Sequence, residues 1–273
     1  MNVAVTAKPI NQTNAIEAVG FMLSFARKLT QNEIDRLLGL ESVFKDELPV
    51  FSKLAGFGVT IENNQVTQRT SQFSGVMLQK LASTPGKFSW IVQINEDTLH
   101  VTCGEYDRWV TVLPKALKYI NKICAFLDLD TLQMASVGCQ FIDKFVYENV
   151  PQFYVLNDVF MPDSGFLPSS VKDAGDLWHV YQGWFGVLNT VVDARPLNQL
   201  NLTSSVIDGK LAAIIEHNTQ ISFGKSVTVK TFIEQNASSI SLLENLLTDI
   251  HNTNKQILKK LLAESKLQAI GLT

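Results

Sequence analysis

Two stretches of this chain carry apolar residues at helical spacing over several turns, and each follows a run of segments whose apolar residues alternate. Trp109, Val112, Leu113, Ala116, Ile120, Ile123 and Leu127 form the first stripe. Leu242, Leu243, Leu246, Leu247, Ile250, Ile257, Leu258, Leu261 and Leu262 form the second. A 3.6-residue period makes one face of a helix apolar, whereas a period of two does the same for a strand. An antiparallel sheet with one apolar face needs a cover, and a wide helical stripe can supply it. The pattern predicts an α+β chain of two pseudo-repeated halves, each an antiparallel sheet covered by a long amphipathic helix in a helix-grip-like arrangement. The halves are placed at 1–133 and 134–273, packed as one globular unit.

Alternation predicts strands over 15–25, 65–82, 88–94, 98–103, 134–147, 177–188, 197–207 and 210–223. Asn95-Glu96-Asp97 reads as a short hairpin loop, and Asp208-Gly209 as a type I′ turn. Thr30 with Glu33, and Ser241 with Glu244, have the spacing of capping boxes. Pro49, Gly56 and Gly58 are read as the stop of the first capped helix and its exit. Pro114 falls inside the first stripe, which predicts a later helix start or a kink. Residues 150–176 hold three of the eight prolines and read as a long loop with one helical turn, a type of segment that is often functional.

Of the 273 residues, 46% are hydrophobic and 18% charged, enough to bury a large core without disulfides or metals. The net charge of −3 comes without a basic stripe, which argues against a nucleic-acid partner. Cys103, Cys124 and Cys139 are odd in number and form no Cys-x-x-Cys pair, which predicts a reducing compartment. The first residues lack the pattern of a secretory leader, and the longest apolar runs are four or five residues, far short of a membrane span. The expected location is cytoplasmic, with no membrane partner.

No catalytic residue, metal ligand or cofactor is predicted. The four histidines are too far apart in sequence for a helical metal motif, and no Gly-x-Ser-x-Gly elbow is present. Gly224-Lys225-Ser226 has only the tail of a phosphate loop and leads into strand-like residues. The least ordinary segment is Leu177-Trp178-His179-Val180-Tyr181-Gln182-Gly183-Trp184-Phe185. Both of its phases are largely apolar, which predicts a strand covered on both sides, by the core on one and by core, partner or ligand on the other. Trp178, His179, Tyr181 and Trp184 are therefore candidate binding residues. His100 and His217 join them as polar groups on the second strands of the two hairpins. The second helical stripe is wider than one sheet contact requires. Leu243, Leu247, Ile250, Asn254, Ile257 and Leu261 are thus a candidate helix interface, with Asn254 as the polar residue that sets register.

Several stretches also resemble one family. They are Ala15-Ile16-Glu17-Ala18-Val19, Tyr106-Asp107-Arg108-Trp109, and the tail from Leu247-Thr248-Asp249-Ile250-His251-Asn252-Thr253-Asn254-Lys255-Gln256-Ile257 to Leu267 and Gly271. The chain resembles a sporadically distributed bacterial family of uncharacterised proteins of about 250–270 residues. Where that family tends to carry Arg-Tyr-Ile-Asn, this chain has Gln140-Phe141-Ile142-Asp143. The resemblance implies an architecture and a bacterial origin, and no chemistry. The leading functional expectation is a non-enzymatic binding or interaction protein, in a bacterial complex or as a homodimer. A small-molecule-binding protein with an apolar pocket is the second, and a metal-dependent hydrolase or nuclease the third.

Overall fold

The computed structural model describes residues 6–62, 65–148, 156–188, 190, 195–234 and 240–272. In chain order the elements are β1 (Ala7–Pro9), β2 (Ile16–Phe25), α1 (Gln31–Arg36), α2 (Leu40–Phe44), β3 (Val50–Glu62) and β4 (Gln65–Leu81). Then come β5 (Phe88–Ile94), β6 (Thr98–Cys103), α3 (Trp109–Cys124), β7 (Gln133–Tyr147), α4 (Leu156–Val159) and β8 (Trp178–Phe185). β9 (Leu197–Ile207), β10 (Lys210–Thr228), α5 (Val229–Ile233), α6 (Leu242–Leu261) and α7 (Glu264–Ala269) complete the chain.

The expected pair of helix-covered sheets is not what forms. The strands make one ten-stranded sheet in the order β3-β4-β5-β6-β2-β7-β10-β9-β8, with β1 added on β7. β2, from the start of the chain, sits between β6 and β7, so the sheet does not close at the expected break between residues 133 and 134. Two compact units are nevertheless present. Unit 1 comprises 1–19, 138–222 and 245–273, and unit 2 comprises 20–137 and 223–244. β2, β7 and β10 each contribute residues to both.

Two strands escaped the sequence. β3 occupies the stretch read as a helix exit, because its glycines mark irregular register rather than an end. The β3–β4 ladder shifts at Leu54/Ala55 and again at Gly56/Gly58, which is where glycine is found inside strands. Gly75 lies opposite the first shift, and an added Cβ there would fall 2.1 Å from the Ile94 carbonyl oxygen. β1 is three residues long and too short to show a period. Its place on β7 is fixed by Lys266 instead, whose Nζ donates to Asp158 Oδ1 and to the Ala7 carbonyl, each at 2.7 Å. Asp158 Oδ2 in turn accepts from the Ala7 N–H.

The caps form where expected. The Thr30 hydroxyl accepts from the Glu33 N–H while the Glu33 carboxylate accepts from the Thr30 N–H, closing the box at α1. The Ser241 hydroxyl accepts from the Glu244 N–H at 3.1 Å. α3 starts at Trp109 and runs on through Pro114. The proline removes one donor, whose acceptor would be the carbonyl of the exposed Val110, within reach of water. In unit 2, Phe44 and Trp90 meet Tyr119 of α3 edge-on, with centroids 5.5 and 5.3 Å apart. In unit 1, Phe145, Tyr147, Leu200, Leu202 and Ile215 pack with Ile257, Leu258 and Leu261. Each such side chain contributes about 1.5–3 kcal/mol.

Candidate functional site

β8 is the last strand on its side of the sheet, and its two faces differ. Trp178 is buried, and Val180, Gln182 and Trp184 are half-buried on the inner face. Phe160 meets Trp178 edge-on at 5.6 Å, and Phe166 lies 5.4 Å from Trp184. The outer face carries His179, Tyr181, Gly183 and Phe185, all exposed. Tyr181 is 61% exposed and Phe185 67%, with Leu177 at 62% and Val187 at 85% just outside the strand. The expected cover on both sides is thus present on one side only. Outer-face contacts are polar and local: the Gln199 amide donates to the Tyr181 hydroxyl at 2.7 Å, and His179 Nδ1 lies 3.1 Å from Thr203 Oγ1.

The β8–β9 ladder is regular from Trp178↔Ser204 to Phe185↔Leu197. Just beyond it, the Gly186 N–H donates to the Pro196 carbonyl. Backbone groups alternate sides along an antiparallel strand, so the even residues face β9. The N–H and C=O groups of His179, Tyr181, Gly183 and Phe185 face the open edge. Among the described residues no strand pairs with that edge.

Behind the inner face lies a polar network that the sequence did not reveal as a unit. His217 on β10 is fully buried. Its Nδ1 lies 2.9 Å from Asn254 Oδ1, and its Nε2 lies 3.1 Å from Asn198 Oδ1 and 3.2 Å from Thr219 Oγ1. The Thr219 hydroxyl also reaches Asn198 Oδ1 at 2.9 Å. Burial lowers the His217 pKa to about 4, against the opposing pull of the Asn254 hydrogen bond, so the ring is neutral at pH 7. A neutral imidazole has one N–H. With that proton on Nδ1, the ring donates to Asn254 Oδ1 and Nε2 accepts from the Thr219 hydroxyl.

Other predicted site residues lie apart. His100 is half-buried on β6 in unit 2, where burial lowers its pKa. Leu243, Leu247, Ile250, Asn254, Ile257 and Leu261 are all buried in the chain's own core, so none of the six is on the surface for a helix partner. What reads as an over-wide stripe is the single broad face that α6 buries in the chain's own interior, with Asn252, Gln256, Lys259 and Lys260 exposed on the other. Sequence reasoning missed Asn198, Thr219 and Asp143. Each is a polar residue in the apolar phase of its strand: Asn198 with Leu200 and Leu202, Thr219 with Ile215 and Ile221, Asp143 with Phe141 and Phe145. That mismatch was the available signal. Asp143 Oδ2 has no hydrogen-bond partner among the described residues, and burial pushes its pKa up to about 7.

No group of three or more His, Cys, Asp or Glu side chains that could hold a metal occurs among the described residues. The three cysteines are buried and unpaired thiols, and burial raises the pKa of each, to about 11 for Cys103 and about 12 for Cys124. Such thiols are poor nucleophiles. Among the described residues no helix is long and apolar enough to cross a membrane. No family model matches the chain, and no curated protein matches its sequence.

Proposed function

We propose that this chain is a non-enzymatic interaction protein that acts through the open edge of β8, with a second copy as its partner. The observation that carries this reading is an eight-residue edge strand with no charged residue, no proline and an exposed aromatic face. Sheet edges in natural proteins are normally blocked by charge, proline or a bulge, because their unpaired N–H and C=O groups recruit other strands. β8 has none of these blocks.

Two-fold antiparallel pairing centred on Gln182 sets His179 against the copy's Phe185 and Tyr181 against its Gly183. All four outward-facing residues then exchange N–H and C=O bonds, and the contact is self-complementary, as a two-fold interface must be. Each Tyr181 ring covers the glycine opposite, a pairing that compensates for the missing side chain. Absence of charge on β8 means that no like charges meet across the axis. The mass in solution tests this. Light scattering is expected to give about twice the 30.4 kDa of one chain. Tyr181→Lys with Phe185→Lys, both exposed, is expected to give a folded monomer. A wild-type monomer at the highest attainable concentration would sink the reading.

A further inference from the structure

A second feature, independent of the open edge, lies on the inner side of β8. A cleft of about 190 Å³ opens between the end of β8, the start of β9 and the C-terminal half of α6. Its aromatic walls are Trp184 and Phe166. The segment bearing Phe166 is pinned on both sides. The Gln182 amide donates to the Phe166 carbonyl at 2.8 Å, and the Ser164 hydroxyl donates to the Lys260 carbonyl at 2.9 Å. Gln256 and Lys260, one turn apart and both exposed, form the rim on α6.

Asn198 is at the floor and is almost completely buried. Its Oδ1 belongs to the His217 network, while its Nδ2 lies against Gly186: a Cβ added to that glycine would sit 2.8 Å from it. Among the described residues nothing pairs with that Nδ2. The cleft thus has a fixed amide at the bottom, held by His217 and Thr219, and a glycine that keeps the approach open. Such pre-organised polar groups in an apolar hollow are the usual marks of a small-ligand site.

Charge decides the class of ligand. None of the residues lining the cleft is acidic, and Lys260 has no ion-pair partner among the described residues. Two aromatic rings alone would suit a cation, but the ammonium at the rim repels one and attracts an anion. Cavities of about 150 Å³ hold a single benzene ring, so this volume takes one ring and a short polar arm. We propose that the cleft binds a small organic anion, a carboxylate on a single apolar ring, with its ring against Trp184 and Phe166 and its carboxylate at Lys260.

Phenylacetate is the probe, with 2-phenylethylamine as the cationic counterpart of similar shape. Binding is followed by tryptophan fluorescence and by saturation-transfer NMR on the full chain. Phenylacetate is expected to bind with a Kd near or below about 1 mM, at least about tenfold tighter than the amine. Lys260→Met, at an exposed position, is expected to weaken phenylacetate about fivefold or more with an unchanged melting temperature. Trp184→Leu is expected to weaken both probes. No saturable binding of phenylacetate, equal binding of the amine, or unchanged affinity in the Lys260→Met protein would each overturn the proposal. The Tyr181→Lys/Phe185→Lys monomer should bind phenylacetate as the wild type does, which separates this site from the open edge.

Discussion

Unit 1 and unit 2 bury their interiors by different rules. Among the described residues, the buried polar side chains of unit 2 are Glu33, which sits in a helix cap, and four serines. Its centre is aromatic, with Phe44 and Trp90 edge-on to Tyr119. Unit 1 buries Ser164 and Ser204 and, with them, Asn14, Asp143, Asn198, His217, Thr219, His251, Asn254 and Lys266. Apolar packing tolerates exchange of similar shapes, whereas a hydrogen-bonded interior demands particular partners. The difference teaches where specificity resides. Unit 1 carries both the open strand and the cleft, and its polar interior fixes the geometry behind them.

The comparison is broken most severely by cutting into the apolar centre. Tyr119→Ala is expected to cost about 3–5 kcal/mol in denaturant unfolding. Tyr119→Phe should stay within about 1 kcal/mol of wild type, because the hydroxyl has no hydrogen-bond partner among the described residues. If Tyr119→Phe cost as much as Tyr119→Ala, unit 2 would not be the apolar unit described.

Asp143 provides the opposite test in unit 1. Its pKa rises from 3.8 to about 7 on folding. The native state therefore holds a proton that the unfolded state has released, and stability is lost as pH rises from about 4 through 7. Asp143→Asn should raise stability at pH 8 by about 4 kcal/mol and leave it nearly unchanged at pH 4. Equal effects at the two pH values would show that the carboxyl is not held protonated.

His217→Leu is expected to cost about 2 kcal/mol, since it strips the Asn254 and Asn198 amides of their shared partner. It should also change the pH profile. His217 and His251 both fall from 6.5 to about 4 on folding, chiefly through burial. Their contribution is complete above pH 6.5 and is lost as pH falls towards 4. Removing one ring should make that acid limb shallower by about one proton, read as the slope of unfolding free energy against pH. The smallest effect belongs to unit 2, where Thr30→Ala should cost about 1 kcal/mol through loss of the cap. Glu33, held at a pKa of about 2 by Arg27 and the Thr30 groups against the opposing effect of its burial, should then titrate closer to 4.5.

Apart from β1 and β3, local structure was legible in the sequence, and its assembly was not. Strand alternation, the Thr30–Glu33 box and the Asp208-Gly209 turn depend on neighbours along the chain, and each appears where its residues put it. The order of strands in the sheet depends on which edges meet. Nothing in Ile16–Phe25 says that it pairs with β6 and β7 rather than closing a sheet of the first half. The site was half legible. Asn254 stood out as a polar residue in an apolar stripe, but a stripe alone does not tell a partner helix from the chain's own core. Its partner His217 lies 37 residues away in sequence. The two-faced aromatic strand was visible as a pattern, while the bareness of one face required the neighbours to be placed.

The most direct test of the open edge is amide hydrogen exchange along β8 at low and high protein concentration. Protection of the His179, Tyr181, Gly183 and Phe185 amides is expected to rise with concentration, while the even-numbered amides, already bonded to β9, stay unchanged. Fast exchange at those four amides at every concentration would contradict it.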